Sequence, residues 1–224
     1  MRPDSLFQKE IITDLRDRRG LFFKFALPAA LLLPLIFADL PVSLPATGIT
    51  VAVIFSGVFG SSIGLVRLRE NGMLERMAML PISPRRLTAG YILANTLLDG
   101  AQIAVPLAAF LFVHLPATPE VAVSFVSAVV AANALGVIVA AAPGSSGEGH
   151  LYAIVTVMAA IALSGLVTAT PHAQGLLPFW YLYATLLAIP GTFPLSPVAL
   201  ASLILGSALV ISPWLFGRSV GSGG

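Results

Sequence analysis

Apolar positions along the chain come in long unbroken runs rather than in alternation. A helix that crosses a hydrocarbon core about 30 Å thick needs roughly 20 mostly apolar residues. Stretches at 21–38, 48–66, 87–113, 121–142, 151–168 and 197–216 have that character. Because each run is continuous, each can satisfy its own backbone as a helix, and a barrel of alternating strands is not indicated. The third run is the longest and is expected to project beyond the membrane on one side.

Two segments depart from plain spans. Over 2–20, Phe7, Ile11 and Leu15 recur every four residues beside Ile12, with Lys9, Thr13 and Arg16 on the other face. That pattern predicts an amphipathic helix on the membrane surface, the alternative being a solvated tail. Between the fifth and sixth runs, the apolar part of 171–197 covers only 176–189 and is bracketed by Pro171, Pro178, Pro190, Pro194 and Pro197. It is too short to cross comfortably and reads as a re-entrant or interfacial segment, with Phe179, Trp180, Tyr181 and Tyr183 at headgroup level. A seventh span is the alternative, and it would put Arg218 outside. The pattern therefore predicts an all-α membrane protein. It has an amphipathic surface helix over 1–20, six transmembrane helices over 21–218 with a loop at 67–87, and a tail at 219–224 of linker composition.

Composition agrees: 57% of the residues are hydrophobic and 10% charged, against about 25% charged in soluble domains. With 12 Lys+Arg against 10 Asp+Glu, the excess is too small for a nucleic-acid footprint. Placement says more than the sum. Arg2, Lys9, Arg16, Arg18, Arg19 and Lys24 precede or open the first run; Arg67, Arg69, Arg76, Arg85 and Arg86 lie between the second and third; Arg218 follows the sixth. Six spans with both termini in the cytoplasm put every basic residue inside, as the positive-inside rule requires. The expected location is the plasma (inner) membrane, multi-pass, without a cleavable signal peptide. The chain has no cysteine, so disulfides, thiolate metal sites and Cys nucleophiles are excluded.

The loop reads RLRENGMLERMAMLPISPRRLTAGY from Arg67 to Tyr91. It predicts a short helix around Met73 to Leu80 and a break at Pro81, with Ser83 and Pro84 as N-cap and first-turn residue of the third span. Met73, Met77 and Leu80 share one side of the short helix, and Glu75 and Arg76 are displaced from it. A simple connector needs only a handful of residues, and methionine is favoured on adaptable binding surfaces.

The run Arg69-Glu70-Asn71-Gly72-Met73-Leu74-Glu75-Arg76, followed by Pro81-Ile82-Ser83, resembles the cytoplasmic loop of type-2 ABC-transporter permeases. An amphipathic connecting helix, six spans and a proline- and aromatic-rich segment before the last span occur in the same order over residues 5 to 218. The haem-exporter permease of cytochrome c maturation is similar in length and loop, but departs in the segment between its last two spans. The resemblance implies a permease subunit of an exporter. Its coupling helix, Asn71, Gly72, Met73, Leu74, Glu75, Arg76, Met77 and Leu80, would dock a separate ABC ATP-binding subunit. Two permease subunits, as a homodimer or an unlike pair, would enclose the path in the lipid bilayer. The chain has only Lys9 and Lys24 and no Gly-x-x-x-x-Gly-Lys loop. No cofactor is therefore expected on it directly, and ATP and Mg belong to the partner.

Within the spans, Asn95, Asp99 and Gln102 share one face of the third, with Asp99 roughly 20 Å along it from Pro84. An intramembrane carboxylate marks either a polar lining of a transport path or interhelical glue, with Asn133 as a candidate partner. Ser56, Gly60 and Gly64 form a small-residue strip that predicts close helix packing, within the subunit or across a dimer. Gly144-Ser145-Ser146-Gly147 with His150 has the look of a rhomboid-type nucleophile motif, but it falls in a cytoplasmic loop where a flexible turn is expected. His114 and His172 stand singly at the outer surface, a poor basis for a metal site. Three function classes result: an ABC exporter permease, a non-transporting membrane scaffold or assembly factor, and an intramembrane hydrolase. The first has the loop motif behind it and is not itself an enzyme.

Overall fold

Each long apolar run folds as a helix. In the computed structural model of the chain the described residues are 18–79, 81–114, 118–166, 177–189 and 195–221. In chain order they form α1 (Arg18–Phe37), α2 (Ser43–Glu70), α3 (Met73–Ala78), α4 (Pro84–His114), α5 (Pro119–Ala140), α6 (Ser146–Leu163), α7 (Pro178–Leu186) and α8 (Leu195–Gly221). A π-helical turn, Phe55–Phe59, interrupts α2. Among these residues the fold is all helical. The expected amphipathic helix over 1–20 lies outside the described residues as far as 17; from Arg18 the chain is already in α1. Leu80, His172 and the ends of the segment at 171–197 also lie outside them. The tail expected at 219–224 is helical through Gly221.

Five of the helices, α2, α4, α5, α6 and α8, are long and apolar enough to cross a membrane, and the protein is a multi-pass membrane protein. Of the sixth expected span, α1, the part counted as apolar helix among the described residues is Lys24–Phe37. The helix α7 has 9 residues, about 14 Å of rise against a core of about 30 Å, and does not cross.

Local chemistry sets the ends. The Ser83 hydroxyl accepts from Arg86 N at 3.4 Å and Pro84 opens α4, as expected from sequence. Ser145 caps α6 by accepting from Glu148 N at 3.4 Å, while Glu148 reaches back to Gly144 N at 2.8 Å. Between them they satisfy two amide donors at the helix start, in the manner of a capping box. Gly72, at φ 64, turns the chain out of α2 in a left-handed conformation that a side chain would disfavour. The Arg69 guanidinium donates to Pro143 O at 2.5 Å and Ala140 O at 2.8 Å, satisfying carbonyls at the open end of α5.

The core falls into two apolar clusters. One gathers Ile36, Ile49, Phe110, Val121, Phe179 and Leu182 from α1, α2, α4, α5 and α7. The other gathers Leu65, Leu74, Leu87, Val137 and Leu215 from the ends of α2, α5 and α8, the start of α4, and α3. The second cluster lies where Arg67, Arg69, Arg76, Arg85 and Arg86 are found, so one end of the bundle is rich in arginine. In the segment expected at headgroup level, Phe179 is fully buried in the bundle, whereas Trp180, Tyr181 and Tyr183 are half-buried. Pro178 starts α7 so that Phe179, Leu182 and Leu186 form its inward face.

The tightest contact is between α2 and α5. A Cβ on Gly57 would lie 2.5 Å from Ala132 Cβ, and one on Gly136 would lie 2.7 Å from Val58 O. Beside this crossing, Ser61 Oγ donates to Asn133 Oδ1 at 2.5 Å, and Asn133 Nδ2 donates to Val129 O at 3.0 Å. Tyr91 Oη of α4 donates to Ser61 O at 3.0 Å. A buried polar tie thus joins α4, α2 and α5, with no water required to satisfy it.

Candidate functional site

The helices α1, α2 and α4 do not close on one another along their whole length. Between them, with the first turns of α6 at one edge, lies a cavity of about 750 Å3. Its geometry follows from how the helices run. His114 Nε2, at the end of α4, lies 3.0 Å from Ile36 O near the end of α1. These two helices are therefore parallel, and both start at the arginine-rich end. Counting back from this contact at about 1.5 Å per residue, Lys24 lies about 18 Å and Asp99 about 22 Å down the bundle. The two opposite charges are on the cavity wall at similar depth.

The wall changes character along the axis. Toward the arginine-rich end it carries Arg67, His150, Tyr91 and Asn95; in the middle lie Lys24, Asp99 and Gln102; beyond them come Leu27, Leu31, Val51 and Ala52. Asn95, Asp99 and Gln102, predicted to share a face of one helix, all reach this wall. Asn95 Nδ2 donates to Tyr91 O at 3.0 Å, which leaves its side-chain oxygen as an acceptor. Gln102 is buried and Asp99 half-buried. The proposed glue partner of Asp99 is engaged elsewhere: both ends of the Asn133 amide are bonded, to Ser61 and to Val129.

The strip Ser56, Gly60 and Gly64 also lines the cavity. Within the chain, only Gly64 of the strip's two glycines makes a close approach to another helix, against Tyr91 of α4. Nothing lies within 4 Å of a Cβ built on Gly60, and Gly64 meets only the Tyr91 side chain. Packing falls one position round, on Gly57 and Ser61. In the π turn, Phe55 and Phe59 come to lie stacked on the cavity wall with ring centroids 4.9 Å apart. Of the wall residues, Leu27 and Leu31 are each 61% exposed and Phe55 49% exposed, and Lys24 and Arg67 are exposed as well.

His150 lies at the polar end, its ring edge-on to Phe59 at 5.6 Å. Its Nδ1 is 2.6 Å from Ser146 O. A carbonyl only accepts, so Nδ1 carries the proton and Nε2 is the acceptor nitrogen. Ser145 and Ser146, singled out with His150 as a nucleophile motif, are the cap and first residue of α6. Ser146 N donates to Glu70 Oε1 at 2.5 Å, and His150 is bonded to backbone and not to a hydroxyl. His114 meets Phe110 at 5.1 Å and Ile36 O. Among the described residues no group of three or more His, Cys, Asp or Glu could hold a metal ion.

At the arginine-rich end, α3 packs on the ends of α2 and α8. Leu74 and Met77 are buried in the second cluster, so Met77 faces the bundle instead of joining an exposed surface, and Met73 is half-buried against it. Asn71 and Arg76 are exposed, Gly72 and Glu75 half-exposed, and the exposed methionine is Met79, at 81%. The periodicity argument placed Met73, Met77 and Leu80 on one face, but the chain leaves the helix after Ala78 and turns Met79 outward.

Lys24, Arg67 and Tyr91 are wall residues that sequence reasoning did not single out as such. A lone lysine inside an apolar run was the available signal for the first, and it was read only for topology.

Compared with protein-family models, with curated proteins and with solved structures, the chain has no significant match.

Proposed function

We propose that the chain is the membrane-spanning permease subunit of an ABC exporter. One observation carries this reading: α3, lying outside the spans at the arginine-rich end, packs on the end of α2, a helix that walls the polar cavity, and on α8. Its Leu74 and Met77 are buried in one apolar cluster with Leu65 and Val66 of α2, Leu215 of α8, and Leu87 and Tyr91 of α4. A force on the exposed side of α3 therefore reaches the cavity through packed side chains, which is what coupling to a separate ATPase demands.

On this reading α1 is the first of six spans, α7 is a re-entrant turn, and both termini lie in the cytoplasm of the plasma membrane. The clustering of arginine at one end of the bundle supports that orientation. Asn95, Asp99 and Gln102 line the path, and a second permease subunit completes the enclosure. ATP and Mg bind the partner.

The test is copurification of the membrane subunit with a soluble ABC ATPase expressed from the same genome. Arg76→Glu and Met79→Glu together are expected to abolish the association and the stimulation of ATP turnover, with the detergent-solubilised subunit still folded. Normal association by this double variant would overturn α3 as the docking element. The absence of any associating ATPase would favour a scaffold.

A further inference from the structure

We propose that the cavity between α1, α2 and α4 binds an anionic membrane lipid, which enters sideways with its phosphate headgroup at Arg67 and its acyl chain along Leu27, Leu31 and Val51. The inference deepens the reading of this cavity as a transport path by naming what occupies it.

Three observations converge. The first is the gradient of the wall. Arg67 and His150 stand at one end and aliphatic side chains at the other, which matches the polarity of a lipid along its length. Lys24 and Asp99 between them add no net formal charge, so the surplus positive charge is at the Arg67 end, where a phosphate is favoured. The second is the mouth. Beyond the charged Lys24 and Arg67, its exposed residues include Leu27, Leu31 and Phe55, and in a membrane such apolar side chains meet acyl chains, not water. A water-soluble anion has no apolar surface to leave against these residues. The third is length. From Arg67 to Val51 along α2 is about 24 Å, more than the roughly 15 Å of hydrocarbon core that one leaflet contributes. A headgroup and one extended tail fit this span, and the volume of about 750 Å3 is in the range of sites that enclose ligands of that size.

Gly60 provides a test that leaves the charges alone. Nothing lies within 4 Å of its Cβ position, and it faces the cavity. A leucine there would fill ligand space without striking the fold. The experiment uses the full membrane subunit, without any ATPase, reconstituted in mixed phosphatidylglycerol–phosphatidylcholine vesicles, re-extracted, and weighed with its retained lipid by native mass spectrometry.

Wild type is expected to retain phosphatidylglycerol in preference to phosphatidylcholine. Arg67→Gln should cut that preference about fivefold, the equivalent of one basic side chain's attraction to an anionic lipid. Gly60→Leu should abolish retention of both lipids, and Gly60→Ala should behave as wild type. Unchanged retention by Gly60→Leu would overturn the proposal, since the lipid would then lie outside the cavity. So would a loss of cross-linked dimer in Gly60→Leu with lipid retention intact, which would make a second copy of the chain the cover of the mouth. Because no ATPase is present, failure here leaves the docking reading standing, and failure of docking leaves lipid retention measurable.

Discussion

The hydroxyl of Tyr91 on α4 donates to the Ser61 carbonyl of α2 at 3.0 Å, and it occupies the space that a side chain at Gly64 would need. The glycine is thus a seat for a phenol at the arginine-rich end of the bundle. It lies where α2 and α4 flank the cavity.

This arrangement predicts a specific non-additivity. Gly64→Ala should destabilise the wild type by about 1–3 kcal/mol, because its methyl group collides with Tyr91 Oη. Tyr91→Phe alone should cost about 1 kcal/mol for the lost hydrogen bond. With the hydroxyl gone, the next ring atom, Cζ, lies 3.6 Å from the new methyl, an ordinary contact. Gly64→Ala in the Tyr91→Phe background should therefore cost little or nothing. Unfolding in mixed micelles gives the double-mutant cycle, and strictly additive costs would show that the two residues do not share this space.

The crossing of α2 and α5 predicts a contrast between adjacent small residues. Gly57→Ala should destabilise by about 1–3 kcal/mol, since its Cβ would lie 2.5 Å from Ala132 Cβ with the backbone of α5 just behind. Gly60→Ala should be neutral or stabilise by up to about 1 kcal/mol, because its Cβ meets nothing and alanine costs less helix entropy. Equal effects at the two positions would remove the distinction between packing face and cavity face.

That contrast also shows what the sequence could and could not carry. Long apolar runs dictate helices because a membrane leaves the backbone no other partner, and Ser83-Pro84 marked the start of α4 for local reasons. The spacing of Asn95, Asp99 and Gln102 was enough to put them on one face, since α4 is continuous helix through that stretch. Ser56, Gly60 and Gly64 were equally legible as a strip, but a glycine makes room without saying whether a neighbouring helix or open space uses it. The packing partner, Gly57 with Gly136, is a relation between two helices 79 positions apart in the chain, and no periodicity within either helix encodes it. Met77 was read as part of a binding face for a related reason: the structure buries it, and α3 ends at Ala78, where the chain's path and not its helical spacing leaves Met79 exposed. Lys24 counted as a topology signal, and only the parallel course of α1 and α4 brings it level with Asp99.

Topology has a direct test because the native chain contains no cysteine. Single variants Met79→Cys and Arg85→Cys place a thiol at the arginine-rich end, and Asp39→Cys and Glu120→Cys place one at the other. In intact cells a membrane-impermeant maleimide should label only the second pair; inverted vesicles should reverse the pattern. Labelling of Met79→Cys from outside would invert the orientation proposed from the arginines.

Asp99 and Asn133 were both candidates for polar glue, and the structure separates their predicted behaviour. Asn133 is fully buried and bonds Ser61 on α2, so Asn133→Ala should weaken the association of α2 with α5, by about 0.6 kcal/mol on average for such bonds and up to about 1.7. Asp99 is on the cavity wall. Asp99→Asn keeps its size and one acceptor but removes any charge, and Asp99→Leu removes the polar function altogether. If the carboxylate serves as a charged group of the transport path, Asp99→Asn should impair transport in reconstituted vesicles while assembly and ATP hydrolysis stay largely intact. Asn133→Ala should show the opposite order, with lowered unfolding stability and transport reduced only as far as folded protein is lost. Normal transport by Asp99→Asn would sink the charged role. A fall in α2–α5 stability from Asp99→Leu as large as that from Asn133→Ala would return Asp99 to the glue, against its place in the cavity. Lys24 decides how the charge is used. If it balances Asp99 across the cavity, Lys24→Gln should harm stability in the wild type and do less harm beside Asp99→Asn, since the second change removes the charge that the first leaves unbalanced.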